Sequence, residues 1–271
     1  MKSTIVTIPI HKIEDGRVSA DQDFVAVEEP LQIRLGDRDL VVTMRTPGHD
    51  RELAAGFLFT EGLLQHPDQI ADIQEDDRGA IAITLAPGVE IEPESLVRNF
   101  YLTSSCGVCG KASIDALRSA GCRSLPAGTP VIDAATLLDL PGELRRVQAV
   151  FERTGGLHAA GLFHAEGKLL NTREDVGRHN AVDKLIGAAF LQNQIPLSEH
   201  LLMLSGRISF ELVQKAVMAG IPVIAAIGAP SSLAIETALR FGVTLIGFLR
   251  DRRFNVYAGE SRLRNVGRPL P

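Results

Sequence analysis

The chain has 271 residues and a formal net charge of −5 at pH 7, long enough to bury a substantial core as one large domain or two modest ones. That charge argues against generic binding to DNA or RNA, which takes a basic surface, but it leaves room for one local basic pocket. No apolar run approaches the roughly 18 residues of a membrane span, and the N-terminus lacks the long apolar core of a secretory signal. Three cysteines cannot build a disulfide framework without leaving one over, so a reducing cytoplasm is the expected setting.

In chain order, "DFVAVEEPLQIRLGDRDLVVTMRTP" supplies two β-rich runs around a "GDRD" turn, and "RGAIAITLAPG" a further short strand, which together predict an antiparallel sheet. Between them "HDRELAAGFLFTEGLL" has apolar residues at helical spacing, with Asp50 placed to cap the start. "KASIDALRSAG" reads as a short helix stopped by Gly121. "LPAGTPVIDAATLLDLPG" is rich in Pro and Gly, holds one short helix, and marks a domain junction, giving units 1–125 and 126–271.

The second unit has a different rhythm. "GLHAAGLFHAEGKLLNT" predicts a hairpin turning at Glu166-Gly167, followed by the helix "RHNAVDKLIGAAFLQ". Then "HLLMLSG", "RISFELVQKAVMAG", "IPVIAAIG", "APSSLAIETALRFG" and "VTLIGFLR" alternate strand and helix. Near-continuous apolar strands are covered on both faces, so a three-layer α/β/α domain is expected here, joined to a smaller N-terminal α+β domain.

In open α/β sheets ligands collect beyond the carboxyl ends of the strands. Three such ends are legible: "SGRIS" at 205–209, "GAPSS" at 228–232 and "LRDRRFN" at 249–255. The first two offer glycine, hydroxyls and a helix N-terminus that favours anions, and the third offers Arg250, Arg252 and Arg253. The bland alternative has Ser205, Ser231 and Ser232 capping helices and the arginines facing solvent. A fourth element, "NTREDVGRHNAVDKL", crowds Arg173, Glu174, Asp175, Arg178, His179, Asn180, Asp183 and Lys184 into one strand-to-helix transition. It would line a polar cavity with His179 and Asn180 beside a ligand, or be a helix capped by Asp175 with a charged face.

"SSCGVCGKAS" pairs Cys106 with Cys109 between glycines. A zinc knuckle would need two more ligands from remote histidines such as His158 or His164, and a thioredoxin-like switch would favour a more rigid setting. Cys109 near a helix start would have a lowered thiol pKa, and glycines 107 and 110 give the loop freedom to serve two places. A zinc deaminase would carry glutamate two residues after His158, where this chain has Ala160, so deamination is not expected.

The motifs "TSSCGVCGKAS", "RTPGHDRELAAGFLFTEGLL", "TGGLHAAGLF", "REDVGRHNAVDKLIG", "SGRISFELVQKA" and "GIPVIAAIGAPSSLAIETA" resemble the formate dehydrogenase accessory sulfurtransferase family, from about Val25 to Tyr257. The resemblance implies a cytoplasmic, homodimeric sulfurtransferase whose larger domain is cytidine-deaminase-like. Such a carrier takes sulfur from a cysteine desulfurase as a persulfide and passes it to molybdenum bis(molybdopterin guanine dinucleotide), the bound acceptor, on behalf of formate dehydrogenase. It implies Cys106 as the persulfide bearer and Cys109 as its helper. Cofactor contacts, with guanine nucleotides as mimics, are implied on Leu245, Ile246, Gly247, Phe248, Leu249 and Arg250. No permanent cofactor, metal, nucleic acid or membrane is implied. The alternative is a chaperone that only binds and escorts the cofactor.

Overall fold

The structure, a computed structural model, describes residues 3–76, 79–91 and 122–266. The chain begins with a long antiparallel hairpin, β1 (Ile5–Glu14) and β2 (Arg17–Ala26), nearly all of whose side chains are exposed. It turns at Asp15-Gly16, both with positive φ, the conformation of a two-residue turn that matches strand twist. The ring of Phe24 lies under the Arg153 guanidinium, 4.4 Å away.

A second sheet contains β3 (Glu29–Leu35), β4 (Arg38–Arg45), β5 (Ile70–Glu75) and β6 (Ala80–Leu85) in the order β4-β3-β6-β5. It is mixed rather than antiparallel throughout, because β3 and β6 run parallel. The cause is helix α1 (Asp50–Thr60), which carries the chain across between β4 and β5 so that β6 returns in the direction of β3. Asp50 does not cap that helix. His49 occupies the N-cap in the left-handed region, and Asp50 instead receives two hydrogen bonds from the fully buried Arg45, at 2.9 and 2.8 Å. A buried guanidinium must be paired, and this demand outweighs an exposed cap.

The third sheet has six strands: β8 (His158–His164), β9 (Leu169–Asp175), β10 (His200–Leu204), β11 (Val223–Ala226), β12 (Thr244–Arg250) and β13 (Arg253–Ala258), ordered β13-β12-β11-β10-β8-β9. Strands β10, β11 and β12 are parallel, while the β8–β9 hairpin and β13 flank them antiparallel. The expected hairpin turn is present, with Gly167 at φ 87°. One face of the sheet packs on helix α2 (Ala134–Val147) through Leu137, Leu140 and Leu144. The other packs on α4 (Arg178–Leu191), α5 (Phe210–Met218) and α6 (Ser232–Phe241). Alternate residues along a strand serve opposite faces, so Leu201 and Met203 meet one helical layer and Leu202 and Leu204 the other.

Helix α2 is longer than its sequence suggests, running through Pro141-Gly142 before α3 (Ala149–Thr154). Burial of Leu137, Leu140 and Leu144 on the sheet outweighs the helix-breaking cost of proline, and Asp133 caps the start through the Ala135 N–H at 3.0 Å. The Pro/Gly-rich stretch before it is held to the large sheet. Buried Arg262 donates to the carbonyls of Thr129, Gly242 and Pro126, and the short strands β7 (Ile132–Asp133) and β14 (Leu263–Arg264) pair in parallel.

Helix α1 lies between the four-stranded sheet and α4, and one hydrophobic cluster runs from Leu31, Ile33 and Ile81 through Leu53 and Leu58 to Val182, Leu185 and Leu202. The core therefore passes straight through the boundary expected near residue 125. Backbones touch where α1 crosses α4: a Cβ on Gly56 would fall 1.9 Å from the Asp183 carbonyl oxygen, and one on Gly187 1.9 Å from that of Glu52. Only glycine permits such an approach.

Candidate functional site

The carboxyl ends of the three parallel strands share one edge of the six-stranded sheet, and their loops are laced together by backbone hydrogen bonds. Ile227 N–H donates to Leu204, Gly228 to Gly206, Ile208 to Ala229, Ser231 to Ile208 and Phe248 to Gly228, all between 2.9 and 3.1 Å. The spacing is tight: a Cβ on Gly228 would lie 2.7 Å from the Gly206 carbonyl oxygen, and one on Gly247 2.9 Å from Pro230. Because β8 runs against β10, its first residue, His158, arrives at this edge beside Gly206, whose Cβ would stand 3.1 Å from the imidazole Nδ1. The end of β9 and the start of α4 arrive there too, since Asp175 pairs with His158.

The serines at this edge divide. Ser231 caps α6, accepting from Ala234 N–H at 3.3 Å, which is the bland expectation. Ser205 caps nothing and accepts from Ala159 N–H at 2.8 Å, fixing the start of β8. Ser209 stands at the N-cap of α5 without a capping bond, its hydroxyl 3.0 Å from His179 Nε2. His179 also lies 3.7 Å from the Glu211 carboxylate. The His179 contact, together with bonds from Ser209 and backbone that outweigh burial, holds Glu211 down at about 2.

Cations dominate the rest of the edge. His158 is held below the usual imidazole range, first by burial and then by electrostatic interaction with Arg178, His179 and Arg207. Its ring is therefore neutral near pH 7. Arg178 Nε is buried with no hydrogen-bond partner among the described residues, a loss on the order of 1–3 kcal/mol for a buried donor. Arg207 is exposed, its stem passing over Gly228.

Of the strand expected to meet a cofactor, Leu245, Ile246 and Leu249 are completely buried and Gly247 is packed against Pro230 and Tyr257. The side chains of Phe248 and Arg250 are the ones with access to solvent. Phe248 sits at φ 54°, a left-handed conformation uncommon for an aromatic residue, where a register shift interrupts the pairing of β12 with β13. The Arg250 guanidinium lies 5.9 Å from the Phe248 ring centre. Asp251 and Arg252, both at positive φ, make the turn to β13, so Arg250, Arg252 and Arg253 cluster on one exposed hairpin tip. Cys106, Cys109 and the helix expected after them lie outside the described residues.

The crowded element at 171–184 resolves into two jobs. Arg178 and His179 reach the edge. Asn180 does not: it donates to Met44 carbonyl at 2.8 Å and accepts from Thr43, tying α4 to β4. Asp175 accepts the Gly177 N–H at 2.8 Å and pairs with Lys184 at 2.7 Å, both side chains being essentially inaccessible. Asp183 and Glu61 share Lys215, at 3.0 and 3.1 Å. Burial lifts the Glu61 carboxyl above its usual range, while the two carboxylates outweigh burial and hold Lys215 above its own. Arg173 grips Glu52 on α1 through two nitrogens. This buried ionic seam was not anticipated from sequence. The signal available was charge embedded in otherwise apolar helical periodicity, as in "AVDKLIGAAF".

Among the described residues no three His, Cys, Asp or Glu side chains are grouped to hold a metal ion, and no helix is long and apolar enough to cross a membrane. Residues 26–264 match the FdhD/NarQ family. A protein named sulfur carrier protein FdhD from Streptomyces avermitilis is 52% identical over 262 residues, covering 93% of each chain. One of the same name from Sulfolobus acidocaldarius is 43% identical, covering 94% of this chain and 97% of its own. Among solved structures, a chain described as a formate dehydrogenase accessory protein from Desulfotalea psychrophila superposes with a TM-score of 0.77 at 27% identity, covering 96% of this chain and all of that one.

Proposed function

The chain belongs to the FdhD/NarQ family, and on that premise we propose that it is a sulfur carrier serving formate dehydrogenase, loaded on Cys106 and unloaded at the carboxyl edge of its six-stranded sheet. The observation that carries this reading is its 52% identity, across 93% of both chains, to a relative named sulfur carrier protein. In the loading step the Cys106 thiolate attacks the outer sulfur of a persulfide on a cysteine desulfurase. A new S–S bond forms on Cys106, the donor's S–S bond breaks, and the donor cysteine leaves as thiolate, with no net oxidation. Cys109 is the neighbouring thiol that relays the sulfur or resolves the persulfide.

The acceptor is a molybdenum bis(molybdopterin guanine dinucleotide) cofactor, held as substrate. Its phosphates and guanines suit an edge where glycines let backbone come close and where Phe248, Arg178, Arg207 and Arg250 present ring and guanidinium groups. Incubation with a desulfurase and free cysteine, followed by intact-mass analysis, is expected to show one added sulfur atom in the wild-type protein and none in Cys106→Ala. In cells lacking the native protein, Cys106→Ala is expected to leave formate dehydrogenase inactive. Restoration by that variant would mean that binding the cofactor, without carrying sulfur, is the function.

A further inference from the structure

At the end of the six-stranded sheet away from the carboxyl edge, β8 finishes and β10 begins on a histidine. His164 and His200 are direct cross-strand partners. The N–H of His200 donates to the Leu197 carbonyl and that of His164 to the Lys168 carbonyl, so neither bonds across to the other strand. They form a non-hydrogen-bonded pair, the kind in which α-carbons stand about 4.5 Å apart and side chains come closest. The two imidazoles share one face of the sheet, with ring centres 6.3 Å apart and planes at 89°.

Both rings have the surroundings of ligands. His164 is 40% exposed, and its Nδ1 lies 3.9 Å from the Glu166 carboxylate and 3.5 Å from the Glu166 N–H. A carboxylate beside one ring nitrogen orients a histidine to bind an ion through the other. In His200, Nδ1 is buried with no hydrogen-bond partner among the described residues, a state that a bound ion on the ring accounts for. Burial first, then His164, hold His200 below the usual imidazole range, against opposing pulls from the Leu197 backbone and Glu199. The ring is neutral near pH 7, so a lone pair is available without displacing a proton.

We infer that His164 and His200 form a two-point binding site for a divalent transition-metal ion, Cu2+ above all, completed by water or by the neighbouring Glu166 and Glu199. Two imidazoles on one ion, at metal–nitrogen bonds of about 2.0–2.1 Å, hold their ring centres at most about 6.5 Å apart, so 6.3 Å is within reach. Two protein ligands are too few for a closed structural zinc site, whereas a tetragonal set of nitrogen and oxygen suits Cu2+, which also leads the divalent affinity order. The site is independent of the carrier reading, since it uses neither the cysteine pair nor the carboxyl edge. His158 stands at the other end of the seven-residue β8, about 20 Å away at the rise of a strand, so it cannot share an ion with His164.

The test uses the full-length chain carrying Cys106→Ala and Cys109→Ala, because thiolates would compete for copper. Titration with Cu2+ alone, read by calorimetry and electron paramagnetic resonance, is expected to show one equivalent bound with a tetragonal, nitrogen-coupled signal. Adding His164→Asn or His200→Asn should each weaken binding about tenfold or more. Cu2+ should also raise the melting temperature of the parent and not that of the double histidine variant, whose metal-free melting temperature reports its folding. A second measurement needs no histidine variant: one equivalent of Cu2+ should protect His164 and His200 from diethyl pyrocarbonate, read by peptide mass. The site is overturned if the parent binds no stoichiometric Cu2+, if the variants keep its affinity and signal, or if protection falls on other histidines. Each of these failures leaves sulfur loading on Cys106, and with it the carrier reading, untouched.

Discussion

Glu52 shows how much one side chain here depends on its neighbours. Burial alone would raise its pKa, yet hydrogen bonds from His49 and Arg173 and the charge of Arg173 bring it to about 2 from 4.5. A depressed carboxylate contributes stability that is present above the unfolded pKa and lost as pH falls toward the folded one. Between about pH 4.5 and pH 2 wild type is therefore expected to lose on the order of 2 kcal/mol that Glu52→Gln never had, read as converging urea midpoints. His158 has the opposite chemistry and the same direction. Its folded form disfavours the proton, so its contribution declines as pH falls through the unfolded value of about 6.5. The raised Glu61 acts in the contrary sense over part of that window, so the informative quantity is the difference between wild type and His158→Gln. That difference should narrow from about pH 7 to pH 5. The sequence offered His158 only as a remote candidate zinc ligand and as a deaminase-type histidine without its glutamate. What it could not disclose was that β8 runs against β10 and so brings that ring to Gly206, Arg178 and Arg207.

Helices α1 and α4 meet at glycines, and that crossing is the most demanding contact between elements. Gly56→Ala and Gly187→Ala are each expected to cost about 1–3 kcal/mol or more, measured as a lowered denaturant midpoint with unchanged m-value, because the added methyl meets backbone that cannot rotate away. In the sequence neither glycine stands out, since each lies inside a run read as helix. The strand-helix-strand rhythm from 200 to 250 was legible, since each buried strand is a short apolar run bounded by Gly or Pro, whereas β13 reads as part of a strand-end loop. The β1–β2 hairpin was not read, although Asp15-Gly16 is a strong turn signal and Val6, Ile8 and Ile10 alternate with Thr7, Pro9 and His11. The Pro-Gly pair within α2 misled in the other direction, since its helix is held by the sheet beneath it.

The molecule as a whole is joined by its buried ions as well as by its core. Lys215→Met would leave the Asp183 and Glu61 carboxylates facing each other without a cation, and is expected to destabilise by about 3–5 kcal/mol in thermal or urea unfolding. Since one cluster unites both sheets with α1 and α4, unfolding is expected as a single cooperative transition, and separately expressed 1–125 and 126–271 are not expected to fold alone; two resolved calorimetric transitions would refute this. By itself the sequence determined most of the elements, the mixed α/β class, the cysteine pair and the three strand ends that share one edge of the large sheet, because short-range periodicity and turn residues encode local structure. Only the tertiary structure decided which charges are consumed in the seam between α1 and α4 and which stand at the edge. A charge's role is set by the partner that burial brings to it, and in the seam some of those partners lie more than a hundred residues away, as Thr60 does from Asp183 and Lys215 from Glu61.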